Sequence, residues 1–136
     1  MSNLEQTLSI IKPDAVERNL VEEIKSIFLK NDLHVKDSKK IHLTKEEAAE
    51  FYKVHQAKPF YNDLCTYLSS GPIFVMILEG KNAITLNRKI MGATDPKSAE
   101  PNTIRKIYGL SIDKNSVHGS DSLDNAKKEI NFFFKN

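Results

Sequence analysis

The pattern of apolar and polar residues divides the first third of the chain into two strands and a helix. Residues 7–11 alternate between polar and apolar side chains and end at Lys12, which predicts a strand that delivers a lysine to the sheet edge. Apolar residues then recur at helical spacing over 20–28, and the polar pair at 31–32 stops that helix. Alternating apolar positions over 33–43 predict a long second strand.

The middle of the chain predicts two further helices followed by a buried strand. Thr44 and Glu47 have the spacing of a capping box, which indicates a helix running to about His55. Residues 60–68 carry apolar side chains on one helical face. The continuous apolar run at 73–78 predicts a strand buried on both faces and central in its sheet.

The last third contains a long segment with little regular structure. Residues 82–91 are predicted to be helical, whereas 92–116 is long, polar and contains proline, with only 103–107 of helical character. Loops of that length in a small domain are usually functional. A short strand near residues 117–118 and a helix over 123–134, capped by Ser122, complete the chain.

This order, β-α-β-α-α-β-α-β-α, favours one α/β (α+β) domain over residues 1–136. Without the middle pair of helices it has the split β-α-β arrangement of ferredoxin-like folds, a four-stranded antiparallel sheet flanked by helices, here expected on one face. The strand at 33–43 would lie at the edge of that sheet, where unpaired backbone groups favour pairing with a second copy.

Composition narrows the function classes only slightly. The 136 residues include a single cysteine, Cys65, so no internal disulfide is expected, and the net charge of +2 does not call for a nucleic-acid partner. The apolar run at 73–78 is too short to span a bilayer and the N-terminus lacks a signal pattern, so a cytoplasmic protein is expected. The five glycines form neither a Walker A loop nor a G-x-G-x-x-G turn, so nucleotide phosphates would be held by side chains.

The stretch at 115–121 contains the strongest chemical signal. His118 is followed by Gly119, which lets the backbone come close to an incoming group, and then by Ser120 and Asp121, which offer hydrogen bonds. At about 100° per residue, Glu129 falls at the edge of the apolar face of the last helix. A carboxylate is therefore expected one helix away from the imidazole.

The string Asn-x-x-His-Gly-Ser-Asp-Ser, which begins at Asn115, resembles the active-site signature of nucleoside diphosphate kinases. The resemblance extends over nearly the full chain, through the stretches at 7–14, 58–61, 70–72, 92–96 and 103–105. On these motifs the chain is identified as a member of that family, of the short, bacterial type.

The resemblance implies that His118 takes a phosphoryl group from one nucleoside triphosphate and passes it to a diphosphate. Glu129 would accept a hydrogen bond from the non-attacking nitrogen of the imidazole, with Ser120 bridging the two. The other residues that the family assigns to catalysis are Lys12 and Tyr52. Mg²⁺ would be the cofactor and would arrive on the nucleotide phosphates, with at most a water-mediated contact from Asp121.

The nucleotide-binding residues follow from the same resemblance. Phe60 would stack on the base with Ile112 facing it, and this mode of binding would select little among bases. The ribose and the phosphates would be bound by Lys12, His55, Arg88, Thr94, Arg105 and Asn115.

The implied partners are nucleoside triphosphates and diphosphates, ATP and GTP among them, and further copies of the chain. A hexamer is expected in preference to a tetramer, with no membrane and no specific nucleic acid. Two alternatives stay open. An RNA-binding module is disfavoured because no RNP-like string is present, and a catalytically silent relative is disfavoured because the histidine and arginines are retained.

Overall fold

The computed structural model describes residues 4–53, 56–111 and 114–134. The strands are β1 (Leu4–Ile11), β2 (His34–Ile41), β3 (Ile73–Lys81) and β4 (Val117–Gly119). The helices are α1 (Pro13–Glu17), α2 (Val21–Lys30), α3 (Lys45–Phe51), α4 (Tyr61–Leu68), α5 (Ala83–Met91), α6 (Ile104–Tyr108) and α7 (Leu123–Phe133), with a 3₁₀ turn at Pro96–Ser98. None of the helices in these ranges has the length and apolar character needed to cross a membrane.

The strands form one antiparallel sheet in the order β2-β3-β1-β4. The predicted four-stranded ferredoxin-like sheet is confirmed. So is the central position of β3, which is paired on both sides, and the position of β2 at an edge. β4 forms the opposite edge and pairs with the end of β1, so that Ile10 lies opposite His118. The sheet therefore brings the exit of β1 next to the histidine.

Helices cover both faces of the sheet, so the expectation of helices on one face is wrong. Alternate residues of β1 separate the two cores: Ile11 packs with α2 and α5, whereas Leu8 and Ile10 pack with α3, α4 and α7. The apolar run of β3 supplies both cores, since Met76 belongs to the first and Val75 to the second. A strand without polar alternation needs cover on each side, which is the physical reason for this two-faced arrangement.

The edge strand β2 also departs from the predicted alternation. A bulge interrupts its register between Val35 and Asp37. Val35 lies opposite Leu78 and packs in the first core, whereas Ile41 lies opposite Ile73 and packs in the second. An extra residue at a bulge exchanges the faces of all later side chains, so the odd positions do not share one face.

The predicted helix starts are confirmed at two positions. The Thr44 side chain accepts from the Glu47 amide at 3.1 Å, and the Glu47 carboxylate accepts from the Thr44 amide at 2.8 Å, which completes the capping box. Ser122 caps α7 by accepting from the Asn125 amide at 3.1 Å. Both motifs depend on bonds within four residues, which explains their predictability.

Two other boundaries differ from the prediction. The short helix α1 was not predicted, although Pro13 at its first turn followed by Asp14 is a recognisable start signal. Helix α3 ends at Phe51, because Tyr52 leaves the helical backbone angles after its amide has bonded to the Ala48 carbonyl. The predicted extension to His55 therefore fails at Tyr52, and His55 itself lies outside the described residues.

Candidate active site

A cleft of about 910 Å³ opens between the α3–α4 side of the molecule and the segment 92–116. This volume suits a ligand of nucleotide size. The sequence-predicted residues that line it are Lys12, Tyr52, Phe60, Arg88, Thr94, Arg105, Asn115 and His118. His55 and Ile112 belong to the predicted site but lie outside the described residues.

His118 lies on β4 and its half-buried side chain contacts Glu129 of α7. The imidazole Nε2 is 3.2 Å from Glu129 Oε1, and the Ser120 hydroxyl donates to the same oxygen at 2.7 Å. Because an ionised carboxylate only accepts hydrogen bonds, this contact places the imidazole proton on Nε2. In the neutral ring the lone pair then lies on Nδ1, which is the nitrogen available for attack.

Two neighbours that sequence reasoning missed restrain this arrangement. The Phe51 ring contacts the His118 ring edge-on, with 5.4 Å between their centroids. Ser120 is fully buried, and its oxygen also accepts from the Leu8 amide of β1 at 3.3 Å. The imidazole and the bridging hydroxyl are thus restrained by contacts from α3 and β1, and no local motif indicates the Phe51 contact.

Gly119 is required by packing behind the histidine. A Cβ at this position would lie 2.3 Å from Asn87 Nδ2 and 2.8 Å from Met91 Cε, both on α5. Such distances are far below van der Waals contact. The glycine therefore allows α5 to approach β4 closely, a reason for its presence beyond the room for an incoming group that the sequence indicated.

Lys12 and Asn115 form a buried pair at one end of the cleft. Lys12 Nζ donates to Asn115 Oδ1 at 2.9 Å, and Asn115 Nδ2 donates to the Thr94 carbonyl at 3.0 Å. These bonds connect the exit of β1 with both ends of the 92–116 segment. They present an ammonium and an amide side by side, a combination suited to hydroxyl and phosphate oxygens.

The two arginines of the cleft differ in environment. Arg105 is buried and donates to the Gly92 and Val117 carbonyls, each at 2.9 Å, whereas Arg88 is exposed. Burial, with a smaller contribution from the charge of Arg88, lowers the pKa of Arg105 to about 10. Two cations that destabilise each other in this way create a positive region in which a phosphate would be bound favourably.

The aromatic residues of the cleft also differ. Phe60 precedes α4, is 45% exposed and has Lys58 Nζ at 5.6 Å from its ring centroid. Tyr52 is buried, and burial, followed by the nearby Cys65 and Glu129, raises the pKa of its phenol above the ordinary value. Phe60 therefore exposes nearly half of its side chain at the cleft, and Tyr52 offers a hydroxyl that stays protonated.

Asp121 faces a smaller cavity of about 390 Å³ next to the main cleft, which it shares with His118 and Glu129. One of its oxygens accepts from Asn125 Nδ2 at 2.5 Å. Over the described ranges, no group of three or more His, Cys, Asp or Glu side chains is arranged to hold a metal ion. This donor set fits only an ion that brings most of its ligands with it, as Mg²⁺ does on nucleotide phosphates.

Fold and site together define a class of protein: a ferredoxin-like α/β phosphotransferase whose cleft combines an oriented histidine with cationic and aromatic side chains. Comparison with known proteins specifies the family. The family model described as nucleoside diphosphate kinase matches residues 5–136. The chain belongs to the nucleoside diphosphate kinase family, and its reaction is phosphoryl transfer from a nucleoside triphosphate to a nucleoside diphosphate.

Individual relatives support this assignment over nearly the whole chain. The chain is 57% identical to the nucleoside diphosphate kinase of Nitratiruptor sp. over 131 residues, 96% of each sequence, and 54% identical to that of Nitrosococcus oceani over 97% of this chain and 92% of that protein. Among solved structures, the enzyme from Aquifex aeolicus superposes with a TM-score of 0.96 at 40% identity, covering 98% of this chain and 96% of that chain. The resemblance inferred from the motifs is thus confirmed.

Proposed function

We propose that the reaction proceeds by a ping-pong mechanism through a phosphohistidine on His118. Nδ1 attacks the γ-phosphorus of the triphosphate, the N–P bond forms as the bond to the β–γ bridging oxygen breaks, and the diphosphate leaves. A second diphosphate then takes the phosphoryl group by the reverse step. The observation that carries this proposal is the Nε2 contact with Glu129, which leaves Nδ1 as the nucleophilic nitrogen.

Glu129 and Ser120 act by orientation. The carboxylate keeps the proton on Nε2, and the Ser120 hydroxyl, bonded to the same oxygen at 2.7 Å, holds that carboxylate in place. Tyr52 and His55 would approach the terminal phosphate, with Tyr52 donating from its protonated hydroxyl. The cationic Lys12 would stabilise the charge that develops on the transferred group.

The remaining residues would bind the nucleotide. Phe60 would stack on the base opposite Ile112, which accounts for a broad range of bases because each base has a π face. Lys12 and Asn115 would bind the ribose hydroxyls. Arg88, Arg105 and Thr94 would hold the phosphates.

Mg²⁺ is the proposed cofactor. Bound to the β- and γ-phosphates, it would neutralise part of their charge, which lowers the barrier to attack by the imidazole. Asp121 would contact it through water at most, because its carboxylate faces the smaller cavity rather than the main cleft.

We further propose that residues 1–136 act as one cytoplasmic domain that assembles into a hexamer, in preference to a tetramer. The edge position of β2 supports a two-fold pairing of copies. Ile107 and Leu110 support contacts between dimers through the 92–116 segment, because their side chains are 53% and 61% exposed.

The test is incubation with γ-labelled ATP, followed by a denaturing gel and by initial-rate kinetics. We expect label on the wild type and none on His118→Ala, and the label should be lost in acid and retained in alkali, as for a phosphoramidate. Initial rates at several levels of the second nucleotide should give parallel lines. Acid-stable label would indicate that a serine, not His118, is the phosphorylated residue. Intersecting lines would indicate direct transfer in a ternary complex.

A further inference from the structure

Asp14 is a buried carboxylate next to the cleft to which the reaction assigns no role. It lies at the start of α1, two residues after Lys12, and its side chain is only 4% exposed. Its Oδ1 accepts from the hydroxyl of Tyr67. Its Oδ2 accepts from Ser116 Oγ at 3.3 Å and from Arg18 Nη2 at 3.4 Å. The two carboxylate oxygens therefore bind two different parts of the molecule.

The first part is helix α4, which forms one wall of the cleft. Phe60 precedes this helix and Leu64 lies on it, and both line the cleft. Tyr67 follows one turn later and its hydroxyl accepts from the Asp14 amide at 3.1 Å while donating to the carboxylate. Burial and the charge of Asp14 raise the pKa of the Tyr67 phenol, so it stays a donor. Asp14 thereby fixes the helix that directly follows Phe60, the ring proposed to stack on the base.

The second part is the end of the 92–116 segment, which forms the opposite wall. Ser116 is fully buried, has a positive φ of 76° and accepts from the Lys12 amide at 2.8 Å. It directly follows Asn115. Arg18 joins the same network, since it bonds Ser116 Oγ at 3.4 Å and the Tyr108 carbonyl at 2.5 Å. Left-handed backbone at a serine is unfavourable in isolation and depends on such tertiary contacts.

We propose that Asp14 is a positioning residue that couples the two walls of the nucleotide cleft, so that Phe60 and Asn115 are held at the separation a nucleoside requires. A buried carboxylate is stable only while its oxygens are hydrogen-bonded. Because the two oxygens of Asp14 bond to different walls, one carboxylate holds both walls in place. A nucleotide spans both walls and is sensitive to their alignment. A small phosphoryl donor without a nucleoside depends on His118 and the cationic side chains near it. Its reaction is therefore less sensitive to the separation of the two walls.

The central test is Tyr67→Phe, with Tyr61→Phe as the matched control. Both changes remove one tyrosine hydroxyl from α4, but Tyr61 donates at 2.9 Å to the Ala49 carbonyl, within the α3–α4 side of the cleft. Two quantities are measured well below the thermal midpoint: the Kd of a nucleoside diphosphate and the rate of His118 phosphorylation by phosphoramidate. Losing a hydrogen bond to a charged group predicts a Kd raised about tenfold in Tyr67→Phe.

In the same variant the phosphoramidate rate should stay near that of the wild type, and Tyr61→Phe should change neither quantity appreciably. Equal losses in both variants, or a phosphoramidate rate that falls in parallel with affinity, would mean that Tyr67 only stabilises the fold and would overturn the inference. So would an unchanged Kd in Tyr67→Phe.

Asp14→Asn tests whether the hydroxyl acts through the carboxylate. The single change should also weaken nucleotide binding, and adding Tyr67→Phe to it should have little further effect because both act on one link. If the two changes raise the Kd by factors that multiply, the coupling is refuted. If Asp14→Asn does not fold, the comparison of the two tyrosine variants still decides.

The inference rests on the proposed role of His118, which labelling of the wild type tests separately. An unlabelled wild type would contradict the proposed function. A labelled wild type, together with a Tyr67→Phe variant that binds nucleotide as tightly as the wild type, would contradict only the coupling.

Discussion

The histidine group and the exposed residues proposed to bind the nucleotide are built in opposite ways. His118 and Glu129 have side chains that are 23% and 21% exposed, and they are bonded to each other within the packed sheet and its helix. Phe60, Arg88 and Thr94 are exposed and lie at the ends of elements or in the 92–116 segment. On the proposed mechanism, the chemical step is thus preorganised by the core, whereas nucleotide affinity depends in part on these exposed side chains. Changes in the first region, the histidine group, should reduce turnover. Changes in the second region, the exposed residues proposed to bind the nucleotide, should reduce affinity.

The largest effect is expected for His118→Ala. Removing the nucleophile should lower kcat by at least ~10⁴, with the Kd for nucleotide close to that of the wild type because the binding residues are untouched. Steady-state rates and calorimetry measure the two quantities. His42→Ala is the control, since His42 contacts the Ser69 carbonyl outside the cleft. Appreciable transfer by the His118 variant would remove the distinction between the two regions.

Glu129→Gln should have the next largest effect, a loss in kcat of roughly 10 to 100-fold with affinity retained, the scale for an orienting partner. An amide can present its NH₂ group to Nε2 and so weakens the control of the tautomer. Glu50→Gln is a matched control, because Glu50 lines the same smaller cavity. An unchanged rate would show that the contact at 3.2 Å has no part in turnover.

In the second region, Phe60→Ala should raise the nucleotide Kd about tenfold, within the range for loss of a base-stacking ring. At saturating nucleotide, kcat should stay near the wild-type value, and Phe60→Tyr, which keeps the ring, should restore affinity. The Kd is measured with both a purine and a pyrimidine diphosphate, because a stacking ring should contribute to the binding of each. If kcat falls as much as affinity, the two regions are not separable.

The smallest effect is expected for Pro96→Ser. Pro96 is buried and packs against Gly109, where an added Cβ would lie 2.6 Å from Pro96 Cγ. Its loss frees the backbone of the unfolded chain and loosens the 92–116 segment, so the thermal midpoint should fall by a few degrees, about what 1 kcal/mol produces. Light scattering should also report a smaller hexamer fraction. Unaltered mass and midpoint would show that this segment does not hold the assembly together.

Features that depend on near neighbours in the chain were predictable. The Thr44 capping box and the Ser122 cap involve bonds across three residues, so spacing alone indicates them. The position of Glu129 follows from the helical period and the short separation from His118. The continuous apolar run of β3 predicts its central place, and because it lacks polar alternation it also indicates that both faces of the sheet are covered.

Features that depend on register were predicted less well. A single bulge residue after Val35 reverses the faces of the rest of β2, and no residue in that stretch marks it. Helix α3 likewise ends earlier than its spacing predicts, and its last residue, Phe51, contacts the ring of His118, 67 positions further along the chain. Contacts between residues distant in the chain are not visible to local spacing.

By itself, the sequence determined the family of this protein and the residues of its proposed chemistry: an imidazole followed by Gly119 and Ser120, a carboxylate one helix away and a family signature that spans the chain. Only the tertiary structure decided how that chemistry is held. The bond between Tyr67 and Asp14 joins residues 53 positions apart, and that between Ser116 and Asp14 joins residues 102 apart. Contacts of this kind leave no periodic trace in the chain, because each partner is selected by the geometry of the folded sheet rather than by its neighbours in sequence.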